Sequence, residues 1–395
     1  MKRFTYILAA ALFILPGCEK SPINNQGNNQ EGTDIVVPVG EYIQFNTESV
    51  TKGTLINGGT LQHNFDVLGY KFASDWATYK VQAKPTVFER EGYEHVQTIN
   101  YANGYHTYPD PVEWTGDTYA FFAYYPCAND NLTVSGSNVE GTPYIEYTLD
   151  VPNIHNHADV MTACVTKTTK QASKQGVNLT MHHRLAALDV VGYSYINAAA
   201  VNELNNGHDG WVDIPEDTPI EIIIDKLNIT FDGIQYNKAK ISLDEEEDLD
   251  KEANGVQSMI PSADNHNTTQ TYSYVTTEGG LSFRDGVTAF LSSKLPGGSE
   301  TTGCPMILIP QNGEIKGTVE ITYRIKAGDI VSNVTYTYPY TDSVTGKVTK
   351  LEFVINGLNA KVYSYMLFSF TKTGLFITVE ESAQWDEINV KHQFE

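Results

Sequence analysis

The sequence predicts an all-β protein built from β-sandwiches, and three observations predict it. The chain is rich in aromatics, with 24 Tyr, 16 Phe and 4 Trp, and aromatic and β-branched residues suit a half-buried pleated surface. Short alternating runs recur along most of its length, separated by Gly, Asn, Asp and Pro, the spacing of a sandwich and not of alternating strands and helices. No long amphipathic helical pattern interrupts them, and no repeat of solenoid length stands out.

Size and charge narrow the function. The 395 residues suffice for about two or three domains. With 41% hydrophobic and 19% charged residues, the composition is that of a globular chain and not a disordered one. The formal net charge of −22 repels nucleic acid and anionic membrane surfaces. No basic stripe with interleaved aromatics offsets it, so nucleic-acid binding is excluded.

The first residues point to export. Met1-Lys2-Arg3 is a short basic stretch, and Phe4 to Leu15 is an apolar run too short to span a bilayer. It reads as a cleaved signal over residues 1–17. Leu15-Pro16-Gly17-Cys18 resembles a bacterial lipobox. The resemblance implies a diacylglycerol thioether and an acylated amine on Cys18, enough acyl chain for stable anchoring in the outer membrane. Residues 18–34 are polar and Asn/Gln/Gly-rich, a lipidated flexible tether.

Strand-like runs begin at Ile35. They include Ile35–Val37, Tyr42–Phe45, Val67–Phe72, Tyr119–Tyr125, Tyr144–Leu149 and Leu185–Tyr195. Ile196–Asn206, with three Ala, reads as a short helix or turn, and loop signals follow to Asp217. This places one sandwich at 35–200 and a second at 215–395. The second resumes with Ile220–Ile224 and Leu227–Phe231, with a turn expected at Asp232-Gly233. Asp244 to Glu252 reads as a solvated acidic loop. Regular alternation then runs from Met306 to Val379, with turn signals at Asn356-Gly357 and Thr373-Gly374.

No motif assigns catalysis. HExxH, the P-loop, GxGxxG after a strand and GxSxG are all absent from the sequence. Adjacent His182 and His183 face opposite sides of a strand and cannot jointly chelate. His155, His157 and Asp159 could share a metal but fit a loop better. Trp76, Trp114 and Trp211 could stack on sugars but fit core packing better. Cys127, Cys164 and Cys304 match no metal spacing and read as buried thiols, with one bridged pair as the alternative. The expected catalytic residues, metals and cofactors are therefore none.

Several separated motifs resemble the fimbrillin-like (Mfa-like) pilins of Gram-negative anaerobes. They are Ile43-Gln44-Phe45 with Val50-Thr51-Lys52-Gly53-Thr54, Phe122-Ala123-Tyr124-Tyr125-Pro126, Ala158-Asp159-Val160-Met161, and Val177 through Leu188. Pro305 to Pro310, Gly357 to Phe368, Gly374-Leu375 and Trp385 complete the set. The resemblance implies two tandem transthyretin-like β-sandwiches and a lipoprotein precursor at the cell surface or in a fimbrium. It implies proteolytic processing after Lys52 and assembly with other pilin subunits by strand exchange. The exchanged strand would lie within Ile35 to Thr47, with Ile35, Val37, Ile43 and Phe45 as its candidate residues. The tail Asn389–Glu395 would be a donor strand or a frayed end. Asp342-Ser343-Val344 resembles the O-glycosylation sequon of these organisms. A monomeric adhesin binding a glycan or a host protein is the alternative.

Overall fold

The computed structural model describes residues 40–49, 61–88, 95–127, 129–135, 140–149, 157–206, 213–244, 259–261, 266–275, 281–287, 289–291, 305–311, 313–358 and 362–384. Strands dominate, as the alternation predicts. In the first part of the chain they are β1 (Phe45–Ser49), β2 (Phe65–Phe72), β3 (Val96–Ala102), β4 (Tyr105–Thr107), β5 (Thr118–Tyr125), β6 (Leu132–Val134), β7 (Tyr144–Thr148), β8 (Met161–Thr168) and β9 (Val177–His183). A single-turn helix, α1 (Trp76–Tyr79), is capped by Asp75, whose carboxylate accepts from the Thr78 N–H.

Seven of these strands form one sheet in the order β1-β9-β8-β5-β2-β3-β4. Its centre is β5, Thr118-Tyr-Ala-Phe-Phe-Ala-Tyr-Tyr125, buried on both faces. A strand covered on both sides carries a continuous apolar run in place of alternation. Tyr119, Phe121 and Ala123 point into one core, and Ala120, Phe122 and Tyr124 into another. The sheet curls, so that its edge strands β1 and β4 come within 8 Å, Cα to Cα. The curl encloses the first core, which contains Ile43, Phe45, Phe65, Phe88, Tyr108 and Phe121 among others.

The remaining elements are β10 (Ala186–Ser194), α2 (Ala198–Asn205), β11 (Ile220–Tyr236), β12 (Lys238–Ser242), β13 (Met259–Pro261), β14 (His266–Val275), β15 (Leu281–Arg284), β16 (Ala289–Phe290), β17 (Met306–Leu308) and β18 (Ile315–Ala327). They continue with β19 (Ile330–Tyr338), β20 (Tyr340–Thr341), β21 (Val348–Thr349), β22 (Leu351–Ile355), β23 (Val362–Thr371) and β24 (Gly374–Gln384). The expected helix or turn after residue 196 is α2, whose N-cap Asn197 accepts from the Ala200 N–H. The turn expected at Asp232-Gly233 is corrected: β11 runs straight through it. A register shift against β14 between Asp232 and Gln235 absorbs the pair as an irregularity in place of a reversal.

The two parts of the chain interlock. β12, from the later part, pairs with β7 from the earlier part, Lys238 opposite Thr148 and Ser242 opposite Tyr144. β10, from the earlier part, lies parallel to β23, from Ala187 opposite Tyr363 to Ser194 opposite Phe370. Hydrogen bonding thus crosses the 200–215 segment in both directions. One apolar core follows it, joining Phe122, Tyr147, Leu188, Ile241, Tyr323 and Phe368. The acidic run is corrected at its first residue: Asp244 is buried, accepts from Trp76 Nε1 at 2.9 Å, and lies 3.7 Å from Lys80 Nζ. Burying a carboxylate this deeply requires such donors.

One glycine is dictated by packing. At Gly317 on β18, a Cβ would lie 2.1 Å from Phe353 Cζ and 2.5 Å from the Thr230 carbonyl oxygen. Gly317→Ala is expected to destabilise the fold by about 1–3 kcal/mol. Urea unfolding measures it, and an unchanged midpoint would mean that Phe353 and the β11 backbone yield freely.

Candidate strand-exchange groove

Residues 41–49 run along the open mouth of the curled sheet and fill it. β1 pairs in parallel with β9, Phe45 opposite Val177 and Ser49 opposite Met181. The preceding residues are held on both sides. The Ile43 N–H donates to the Val112 carbonyl at 2.8 Å, and the Tyr108 hydroxyl donates to the Ile43 carbonyl at 2.7 Å. The Trp114 N–H donates to the Glu41 carbonyl at 3.0 Å, and the Val177 N–H to the Gln44 carbonyl at 2.7 Å.

The period of two sends Ile43, Phe45 and Thr47 inward. They are 0%, 3% and 2% exposed, so these three side chains are the plug. Phe45 is its centre. Its ring meets Phe121 edge-on at 5.2 Å between centroids, Phe88 and Tyr108 at 6.3 Å, and Phe65 at 6.5 Å. These are favourable tilted and T-shaped geometries. Val177, Leu179 and Met181 line the β9 side. On the outward face, Asn46 Nδ2 donates to the Gln175 carbonyl at 2.8 Å and to Asn178 Oδ1 at 3.2 Å.

Two titratable groups sit close by. Asp66 on β2 has its pKa raised by burial, against hydrogen bonds from Thr98 and Tyr124. The Thr98 hydroxyl donates to Asp66 Oδ1 at 2.6 Å. His106 on β4 packs against Phe65 at 5.3 Å, and burial lowers its pKa, opposed by backbone hydrogen bonds at Leu61 and His63.

Ile43 and Phe45, expected in the exchanged strand, both lie in this groove. Ile35, Val37, Lys52 and Cys18 lie outside the described residues, as do His155, Cys304, Trp211, Trp385 and the tail 389–395. The groove walls Phe65, Phe88, Tyr108 and Phe121 form no motif in the sequence. Their only sequence signal is aromatic identity, and no spacing links positions so far apart.

The other candidates find structural roles. Trp76 and Trp114 are both 6% exposed and pack in the two cores. His183 is fully buried with Nδ1 2.5 Å from Asp159 Oδ1, while the Ile307 N–H donates to His157 Nδ1 at 3.1 Å. Among the described residues, no three His, Cys, Asp or Glu side chains converge as a metal site. Neither Cys127 nor Cys164 is in a disulfide there. Asp342-Ser343-Val344 forms the exposed tip of the β20–β21 hairpin, where Asp342 Oδ1 accepts from the Val344 and Thr345 N–H groups at 2.8 Å.

No protein-family model matches the sequence, and no curated protein matches it. Solved structures do. A fimbrial protein from Bacteroides vulgatus is 18% identical, with a TM-score of 0.50, over 87% of this chain and 99% of that one. A protein described in connection with cell adhesion, from Bacteroides uniformis, is 12% identical, with a TM-score of 0.41, over 88% and 99%. The fimbrial anchor protein Mfa2 from Porphyromonas gingivalis is 10% identical, with a TM-score of 0.32, over 86% and 96%. The chain has the all-β fold of a fimbrial protein, and the fimbrillin-like resemblance read from its motifs holds at the level of that fold.

Proposed function

We propose that the chain is a structural subunit of a surface fimbrium, exported as a lipoprotein on Cys18 and assembled by exchange of β1. Its work is contact and not catalysis. The observation that carries this reading is the plug: a segment ending in a five-residue edge strand, whose inward side chains Ile43, Phe45 and Thr47 fill an apolar groove. An edge groove of that kind must be covered, in cis or by a neighbour. Strand addition supplies main-chain bonds for affinity and alternate side chains for register. The outer-membrane location belongs to the same proposal, as do two tandem sandwiches with parts 35–200 and 215–395 that trade β10 and β12 across their boundary.

Limited trypsin digestion of the full mature chain tests it. Cleavage after Lys52 is expected to leave a resistant body that binds a hydrophobic dye and then forms higher-order species. A chain that resists cleavage there, or that is cut and stays monomeric with no new apolar surface, counts against the reading.

A further inference from the structure

Thr47 does not fit the groove it fills. Its side chain points inward and is 2% exposed, yet its hydroxyl finds no hydrogen-bond partner among the described residues. The residues opposite and around it on β9, Leu179 and its neighbours Val177 and Met181, are apolar. A buried hydroxyl without a partner forfeits the hydrogen bonds it made to water. The neighbouring inward positions show no such defect, because Ile43 and Phe45 are apolar side chains in apolar surroundings.

Two further features weaken the same strand. β1 is only five residues long. Among the described residues it pairs with one strand, in parallel, and parallel pairing is slightly less stable per residue than antiparallel.

We propose that β1 is a built-in weak occupant of the groove, with Thr47 as its mismatch, and that the preferred occupant is an extended segment with a β-branched aliphatic residue at the Thr47 position. That segment carries an aliphatic residue, an aromatic and then an aliphatic at alternate positions, and runs parallel to β9. Valine has the shape of threonine and removes the orphaned hydroxyl. Replacing β1 by such a segment is then downhill, because the groove exchanges a polar side chain it cannot satisfy for one it can. The inference deepens the strand-exchange reading and rests on it for the identity of the site.

The test has two arms. In the first, Thr47→Val is introduced into the full mature chain and thermal unfolding is followed. The melting temperature is expected to rise, and an unchanged or lower value overturns the proposal. In the second, a specific protease site is placed between residues 50 and 60 of the full chain, and the cut protein is offered labelled peptides spanning residues 40–49. The peptide with Val at position 47 is expected to bind about 5- to 150-fold tighter than the native peptide. The peptide with Ala at position 45 is expected to bind at least about 100-fold more weakly. Equal binding of the native and Val peptides overturns the proposal while leaving strand exchange standing. If the cut protein stays folded and takes up no peptide, strand exchange itself fails, and a stabilising Thr47→Val in the first arm still supports the mismatch.

Discussion

Phe45→Ala is expected to destabilise the protein by about 3–5 kcal/mol, among the largest effects available to a single substitution in this fold. The ring is 3% exposed and touches aromatic rings from β2, β5 and the two segments holding Phe88 and Tyr108. The lost transfer free energy is only part of the cost. The void would be walled by rings anchored on separate elements, and such walls cannot collapse together to fill it. The loss should also be local. Native-state hydrogen exchange is expected to speed up at the β9 amides facing β1, from Val177 to Met181, while the β10–β23 ladder stays protected. A cost below about 1 kcal/mol, or a loss of protection spread evenly over the molecule, would remove Phe45 from the centre of the plug.

Arg184→Ala carries the second large effect, expected at about 3 kcal/mol or more. Arg184 sits between β9 and β10 and is 1% exposed. Its Nη1 donates to Thr162 Oγ1 at 2.9 Å and approaches the Ser242 carbonyl at 3.5 Å, and its N–H donates to the Val160 carbonyl at 2.9 Å. Thr162 belongs to β8 and Ser242 to β12, so one side chain braces the seven-stranded sheet against a strand from the later part of the chain. Truncation removes a long buried side chain and leaves both acceptors without this donor. Urea unfolding should show a lower midpoint with an unchanged slope, since the surface exposed on unfolding stays the same. Arg184→Lys should not restore it, because an ammonium lacks the planar fork that reaches two separated acceptors. An Ala variant that unfolds within the error of the parent protein would show the brace to be dispensable.

Much of the architecture was legible because period-two alternation and turn chemistry are local. Gly357 and Gly374 adopt φ of 118° and 142°, values that glycine tolerates and the turn signals anticipated. The apolar run Tyr119–Tyr125 was readable as a strand, and its burial on both faces explains why it does not alternate. Strand direction was not legible, because a parallel and an antiparallel partner demand the same alternation; hence the parallel pairings of β1 with β9 and β10 with β23 came only with the fold. Ile43 and Phe45 could be named from their motif, but not the rings that receive Phe45, which come from four distant positions. Asp244 was hidden by its neighbours: seven of the eight residues that follow it, up to Glu252, are acidic or basic. Only the position of Trp76 reveals that its carboxylate turns inward.

The reciprocal exchange of strands between the two parts of the chain sets an order of events during synthesis. β10 cannot find its parallel partner until residues 362–371 have emerged, and β7 waits for residues 238–242. The seven-stranded sheet, drawn wholly from residues before 184, can close first, while the core shared by the two parts waits for the later strands. Pairing across so much sequence is slow to form. Final locking of the shared core is therefore deferred until nearly the whole chain has been made.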